Sequence, residues 1–599
     1  MQIIINNRPA FIKKGSSFQF VSENRHFTGS DSYTLSITFP LKDCPENLAI
    51  FGSINRCDVE KEQVKFDCTI VDRNFVRDGV ITVTSISDAE VKTQFLEGRS
   101  VQNFDNSFDE VYINELDLGF YSPTVSETPS YLTRGIDYGQ MYVALPWVNN
   151  TSGNIQNQML MDYDTEVWSW ASGLKGLSFQ PYLIYIIRQI CRTLGYSADL
   201  TDMENSNYRY LIICNALPNA WENRKWKSIL PSWTVTEFFE QIGYLLGADF
   251  IIDHKGKSIR MEFVRKDIEA LPQYCVENVV DAYSADVSQD NECTYIEQVN
   301  MKFADCGHQA WKAYSCDWFI RENRDRIKEF ETAEDMCNYI VGIYETGGDW
   351  YSVPETKAMI DRIFHVREVN TYFIMRCNYC LKGSTSGSYW IQRYVLTAVN
   401  AFGERFKDRD ENEKTIELKC VPVWIDNLEM DDNCIFLDVP EFDEELTDES
   451  YELTNDSNGW MPSGQQTITV NTLLQGEKEE HKEFFDKLYL GFWTGKTEFN
   501  MYMPHPTIDY ITPYGEILYD ERDMSLRLDG GGTKYPEKSA VYNVDSSVKF
   551  MFSFLADDIP AVRSVFHIKG QRYLCEKITA TFTENGRSQL LKGVFYKIK

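Results

Sequence analysis

The residues best spaced for chemistry are Cys377-Asn378-Tyr379-Cys380, the one CxxC pair among fifteen cysteines. Such a pair can hold half of a zinc site, or it can cycle between dithiol and disulfide. A structural zinc takes four ligands, and no second pair or nearby histidine completes this one. A redox pair prefers the start of a helix, where the dipole lowers the thiol pKa. Here the surrounding residues read as β, with the two thiols on opposite faces, so the pair reads as structural. Gly491-Phe492-Trp493-Thr494-Gly495-Lys496-Thr497 has the outline of a phosphate loop. Three residues separate its glycines where the motif needs four, and two of the three are aromatic. The histidines are His26, His254, His308, His365, His481, His505 and His567. No two stand four apart on a helix face, and no HExxH occurs. A cysteine–histidine peptidase would bring its pair together only in space, and a glycosidase needs just two of the 90 carboxylates. Nothing in the spacing selects either pair. The sequence therefore assigns no catalytic, cofactor-binding or metal residue, and implies no cofactor.

The elements that would position any site fall into blocks. At 599 residues the chain expects several domains. It is 43% hydrophobic and 14% aromatic, enough material for packed cores. Residues 1–120 read as antiparallel β. Tyr33, Leu35, Ile37 and Phe39 alternate with polar residues up to Pro40, as do Val64, Phe66, Cys68 and Ile70. Asp78-Gly79 reads as a turn before Val80–Thr84. Residues 121–177 are polar and read as a loop or insertion. It holds Asn149 and Asn150 sequons of no expected use, and Trp147, Trp168 and Trp170, which could stack on sugars or simply pack the insertion down.

Residues 178–268 read as two helix–strand units in tandem. In the first, Leu183, Ile186, Ile187, Ile190 and Leu194 share a helical face, with Pro181 in the first turn and Gly195 past the end. In the second, Thr234 and Glu237 form a capping box, and Val235, Phe238, Phe239, Ile242, Leu245 and Leu246 line one face. Gly247 closes that helix. Phe250–Ile252 then runs into a turn at Asp253–Gly256 and a return strand through Ile259, Met261 and Phe263. Gln189–Gly195 and Gln241–Gly247 share a Gln-Ile-x-x-x-Leu-Gly pattern, the mark of an internal repeat or of any amphipathic helix ending at glycine.

Residues 269–425 read as a second β-rich domain, with strands at Tyr372–Met375, Tyr389–Ala398 and Thr415–Val423 and a helix over Glu322–Tyr344. Residues 426–540 read as an acidic loop and an extra domain. Glu441, Asp443, Glu444, Glu445, Asp448, Glu449 and Glu452 crowd together without EF-hand spacing, as in a solvated loop. Residues 541–599 read as hairpins, with turns at Lys569-Gly570 and Asn585-Gly586. The fold class expected is mainly β with α+β insertions, in barrel-like domains. The net charge of −31 works against nucleic-acid binding, because affinity for phosphate comes from basic residues. No signal peptide is read at Met1–Asn6, and no membrane span is expected.

The order of these parts carries a resemblance. An N-terminal β-domain precedes a unit reading Trp233-Thr234-Val235-Thr236-Glu237-Phe238-Phe239-Glu240-Gln241-Ile242, then Leu246-Gly247-Ala248-Asp249-Phe250 and a Lys255-Gly256 turn, and more β follows. This resembles the baseplate hub proteins of phage tails and contractile injection systems. Gly570-Gln571-Arg572-Tyr573-Leu574-Cys575-Glu576-Lys577-Ile578 looks like tail proteins of phages infecting Bacteroides-type bacteria. The resemblance covers 1–420 and the last sixty residues. It implies a homotrimeric ring in the virion tail, made in the bacterial host cytoplasm. It also implies partners in the tail tube or distal tail protein, the spike or tail fibres and the tape-measure protein, with DNA passing through unbound. It implies no active site. Two other readings remain open at this point: a glycan-binding protein of the tail-fibre type, and a tail-associated cell-wall hydrolase.

Overall fold

The computed structural model describes residues 1–24, 27, 31–59, 65–97, 100, 108–120, 136–144, 148–150, 155–156, 159–162, 167–170, 178–215, 225–253, 256–263, 271–280, 282–287, 300–304, 320–321, 323–345, 363–368, 370–384, 387–399, 415–422, 424–429, 434–439, 454–455, 466–467, 486–493, 526, 528 and 544–598. The chain is mainly β and multidomain. Its largest element is a 14-stranded sheet. The main path runs Arg8–Ala10, Gln2–Ile5, Lys65–Asp72, Phe75–Ile86, Glu90–Leu96, Tyr33–Thr34, Ser17–Glu23, Gln571–Thr583, Gly586–Ile598, Val544–Leu555 and Ser284–Asp286. The path does not return on itself among these residues. The expected barrel-like closure is therefore replaced by an open sheet.

Strands from the two ends of the sequence meet in the middle of this sheet, where Phe18 faces Phe582 and Phe20 faces Ala580. The alternation drives that pairing. Phe18, Phe20, Ala580 and Phe582 are all buried on one face, and the Phe18 and Phe582 rings stack at 5.3 Å. Burying each such ring contributes about 2–3 kcal/mol. A short segment then folds over the other face. Asn24 donates from its amide to Cys575 O at 3.1 Å, and its backbone N–H donates to Glu576 O at 2.8 Å. Beside it Phe27 stacks on Tyr596.

Two readings of the N-terminal part are corrected. Asp78-Gly79 is not a turn but lies inside the Phe75–Ile86 strand. A Cβ at Gly79 would meet Leu96 O at 2.3 Å and the Phe95 ring at 2.7 Å, so glycine marks a close approach of strands. The turn falls earlier, where Arg73 takes a φ of 55°. Leu35 does not continue the alternation into the core. The strand breaks there, and Leu35 is 50% exposed while Ile37 and Phe39 are buried.

The tandem helix–strand units share one sheet. Ser197–Asp199, which follows the first helix (Leu183–Thr193), runs parallel to Ser258–Phe263, the return strand of the second unit. Ser258–Phe263 is in turn antiparallel to Ala248–Asp253. Both motif glycines adopt left-handed backbone, Gly195 at φ 82° and Gly247 at φ 62°. Thr234 caps the second helix (Val235–Leu246), accepting from Glu237 N–H at 3.1 Å. The reciprocal half of the box is absent, since the Glu237 carboxylate takes Lys419 Nζ at 2.6 Å instead. Pro181 is not in the first helical turn. It pairs with Tyr142 in a two-residue strand, and the helix starts after Tyr182.

A second small sheet completes this body. Leu488–Phe492 is its middle strand, antiparallel to Leu211–Ile213 and parallel to Cys420–Pro422. All five of its residues are buried. A stretch read from sequence as part of an extra domain thus contributes to the same core as both helices. The span 322–344 is only half helical. Thr332 Oγ1 caps the helix by accepting from Asp335 N–H at 3.1 Å, and the helix runs Ala333–Glu345. Ile327–Phe330 before it is a strand, parallel to Ile363–Val366, because Ile327 and Phe330 pack with Ile363 and Phe364.

Candidate functional site

The motifs singled out for chemistry do not converge. Cys377 and Cys380 sit within one long strand, Thr371–Ser384, opposite Tyr394 and Ile391 of its hairpin partner. The helix start that redox chemistry prefers is not there. Gly491 lies within the buried Leu488–Phe492 strand, paired with Ile212. Trp493 after it is fully buried, donates its backbone N–H to Tyr210 O at 2.9 Å and accepts from the Tyr182 hydroxyl at 3.2 Å. A strand sealed into a core offers no cradle to a phosphate, which removes the phosphate-loop reading. Residues 494–497 lie outside the described residues, as do Trp147, the carboxylates from Glu441 to Glu452, and His26, His254, His308, His481 and His505. Trp168 and Trp170 fall on a short hairpin strand paired with Met159–Asp162.

Two histidines are described. His567 Nε2 lies 2.8 Å from Gln273 Oε1. His365 is buried in the Ile363–Val366 strand, where its ring stacks on Tyr372 with centroids 4.0 Å apart. Its Nδ1 lies 3.0 Å from Glu329 Oε2 and its Nε2 lies 3.3 Å from Asn370 Oδ1. Arg367 donates to the same Glu329 oxygen at 2.9 Å. The His365 contact, and then Arg367, hold the Glu329 carboxyl below its ordinary pKa. Both ring nitrogens of His365 are taken up within this group, and Arg367 also donates to Glu331 at its rim. Its geometry clasps the turn after Val366 to the Ile327–Phe330 strand.

The buried thiols are equally committed to packing. Burial pushes the Cys191 thiol up to about 12, and it raises those of Cys214, Cys420 and Cys575 well above the ordinary range. Among the described residues, no group of three or more His, Cys, Asp or Glu is placed to hold a metal. No helix among them is long and apolar enough to cross a membrane.

What the molecule does present is surface on a braced frame. Gln241 of the second helix accepts from Lys419 N–H at 2.8 Å, fixing that helix to the Thr415–Leu418 strand's end. Asn47, fully buried, donates to Phe11 O and Pro40 O, both at 2.8 Å, and accepts from Phe11 N–H at 3.0 Å. That locks the edge of the large sheet and leaves the Phe11 side chain 52% exposed. Val76, Leu35, Val280, Tyr283, Val287, Met551 and Leu555 are other large apolar side chains standing out from the same sheet or its edge. Sequence reasoning did not find these residues, because exposure is decided by which face of a strand meets the core.

No family model and no curated protein matches the chain. Among solved structures, the chain is similar over 100% of its length to the 43 kDa tail protein of prophage MuSo2 from Shewanella oneidensis, covering 97% of that chain at 8% identity and a TM-score of 0.28. It is also similar over 100% of its length to the tail protein from Neisseria meningitidis MC58, covering 96% of that chain at 7% identity and a TM-score of 0.28.

Proposed function

We propose that this chain is a structural component of a phage tail, a baseplate hub or tail-tip ring that assembles as a homotrimer and joins the tail tube to the spike or fibres. One observation carries the reading. The two ends of the chain are woven into the centre of a single open sheet, and an α+β body is inserted between them. Strands from opposite ends of the sequence that share a core cannot part without unfolding it. Such a part suits load-bearing better than opening and closing on a substrate. The resemblance of the sequence to hub proteins supports the same role, while at a TM-score of 0.28 nothing transfers from the tail proteins named above. On this reading the acidic charge keeps passing DNA from adhering to the ring, and the protein performs no catalysis.

Native mass tests the reading. Light scattering after size exclusion is expected to give three times 69.6 kDa, or 208.8 kDa. Mass spectrometry of purified particles is expected to find the chain in tailed virions. Its absence from them overturns the proposal.

A further inference from the structure

We propose that Cys275, His567 and Gln273 form a thiol–disulfide exchange site on the large sheet, on the face turned away from its core. Its substrate is a small-molecule disulfide, and its product is a mixed disulfide on Cys275. Spacing along the sequence could not reveal this group, because a cysteine and a histidine of this kind meet only in space. Register brings them together. Gln273–Cys275 runs parallel to Val565–Ile568, with Gln273 beside Val565, Tyr274 beside Phe566 and Cys275 beside His567. Val276 N–H donates to His567 O at 3.0 Å and Val565 N–H donates to Pro272 O at 2.8 Å, which holds the register at both ends. Tyr274 and Phe566 turn toward the core, their ring centroids 5.4 Å apart. Alternation therefore puts Gln273, Cys275 and His567 on the opposite face. Gln273 and Cys275 are exposed and His567 is half-buried, so a small molecule reaches the sulfur.

The hydrogen bond on the imidazole sets its role. Gln273 Oε1 lies 2.8 Å from His567 Nε2, and an amide oxygen only accepts, so Nε2 carries the proton. The lone pair is left on Nδ1, which makes the ring a base beside the thiol, on strands about 4.8 Å apart. Arg572 stands on the far side of His567, opposite it in the next strand, and its guanidinium favours negative charge on the sulfur. Glu277 is the carboxylate two residues beyond Cys275, and it is exposed, where water and salt screen its opposing field.

The exchange balances without a further reactant. The Cys275 sulfur attacks one sulfur of the disulfide while His567 takes the thiol proton. A new S–S bond forms to Cys275 and the old one breaks. Its electron pair leaves with the second half, which receives the proton from His567. Cys275 is oxidised and the departing half is reduced. Cys57 supplies an internal reference. It is exposed too, but it lies between Arg56 and Asp58, which pair with each other at 2.9 Å.

Dithiodipyridine tests the site, since each exchange releases a thiopyridone that absorbs light and leaves a label that peptide mapping locates. An ordinary thiol is only a few per cent thiolate at neutral pH, so Cys275 in the native full chain is expected to react about ten-fold faster than Cys57. His567→Gln is expected to bring the Cys275 rate down to that of Cys57 and to leave Cys57 unchanged. Gln273→Ala is expected to slow Cys275, while Gln273→Glu, which still accepts from Nε2–H, is expected to keep the wild-type rate. Equal rates at Cys275 and Cys57 in wild type, a comparison that needs no variant to fold, overturn the proposal. So does a His567→Gln chain with a wild-type melt in which Cys275 still outpaces Cys57.

Discussion

Replacing Leu490 with alanine tests whether the Leu488–Phe492 strand belongs to the α+β body or to a separate late domain. Leu490 is fully buried between Ile213 and Pro422 in the three-stranded sheet. The change removes three carbons at about 0.8 kcal/mol each, or about 2.4 kcal/mol of transfer free energy. The strand is held on both sides, so the site cannot collapse onto the gap, and the residual cavity adds about 1–2 kcal/mol. The total is about 4 kcal/mol, close to a thousand-fold in the opening equilibrium. Hydrogen exchange read by mass spectrometry resolves where that loss appears. Protection is expected to fall in 488–492 and also in the helices 183–193 and 235–246, which share its core. It is expected to hold in 17–23 and 571–598, which belong to a different core. Loosening confined to 486–493, with both helices at wild-type protection, would refute the single-core argument.

Three further outcomes follow from the same geometry. Iodoacetamide at mildly alkaline pH is expected to alkylate the exposed Cys57 and Cys275 while leaving Cys191, Cys214, Cys420 and Cys575 untouched until denaturant is added; peptide mapping of the labels checks this. Gly79→Ala forces a Cβ against Leu96 O and the Phe95 ring, and is expected to lower stability by about 1–3 kcal/mol in urea unfolding, whereas a wild-type midpoint would contradict the close approach. The Glu329 carboxyl titrates below its ordinary range in the folded chain, so its contribution is present above the unfolded-state pKa and is lost as pH falls through the folded one. The protection of 363–368, measured as exchange relative to the intrinsic rate at each pH, is accordingly expected to fall on acidification in wild type and to lose that dependence in Glu329→Gln.

The sequence disclosed what local rules decide. Thr234 three residues before Glu237 is a cap wherever the helix packs, and Gly195 and Gly247 end helices because they tolerate left-handed backbone. The period of two in Cys68 and Ile70 survives because one face of that strand is buried. What could not be read is set by partners far along the chain. Asp78-Gly79 has the composition of a turn, yet Phe95 and Leu96, from the next strand, need the missing Cβ there. Glu237 has the spacing of a capping box, yet Lys419, 182 residues later, claims its carboxylate. Leu488–Phe492 is a short apolar run in polar surroundings, and only Ile212 and Val421 on either side show it to be a core strand. The candidate site was the least legible part, because no motif marks a docking face. Phe11 and Val76 look like core residues in the sequence until the register turns them outward.

The same long-range pairing limits what this molecule can do mechanically. Asn24 is bonded to Cys575, Phe18 to Phe582 through their rings, and Arg587 N–H to the Asp72 carboxylate at 2.9 Å. Gly586 is needed beside that carboxylate, since a Cβ there would stand 2.8 Å from Asp72 Oδ1. Each of these contacts spans more than 500 residues of sequence. The sheet is therefore completed only after residues up to 598 are made, and pairing of such high sequence separation is slow to form. Until then its first strands carry unpaired edges rich in phenylalanine, the state in which β-proteins aggregate. The strong acidic charge opposes that association during the wait. Once these strands are joined the repulsion remains, and any contact between copies has to overcome it.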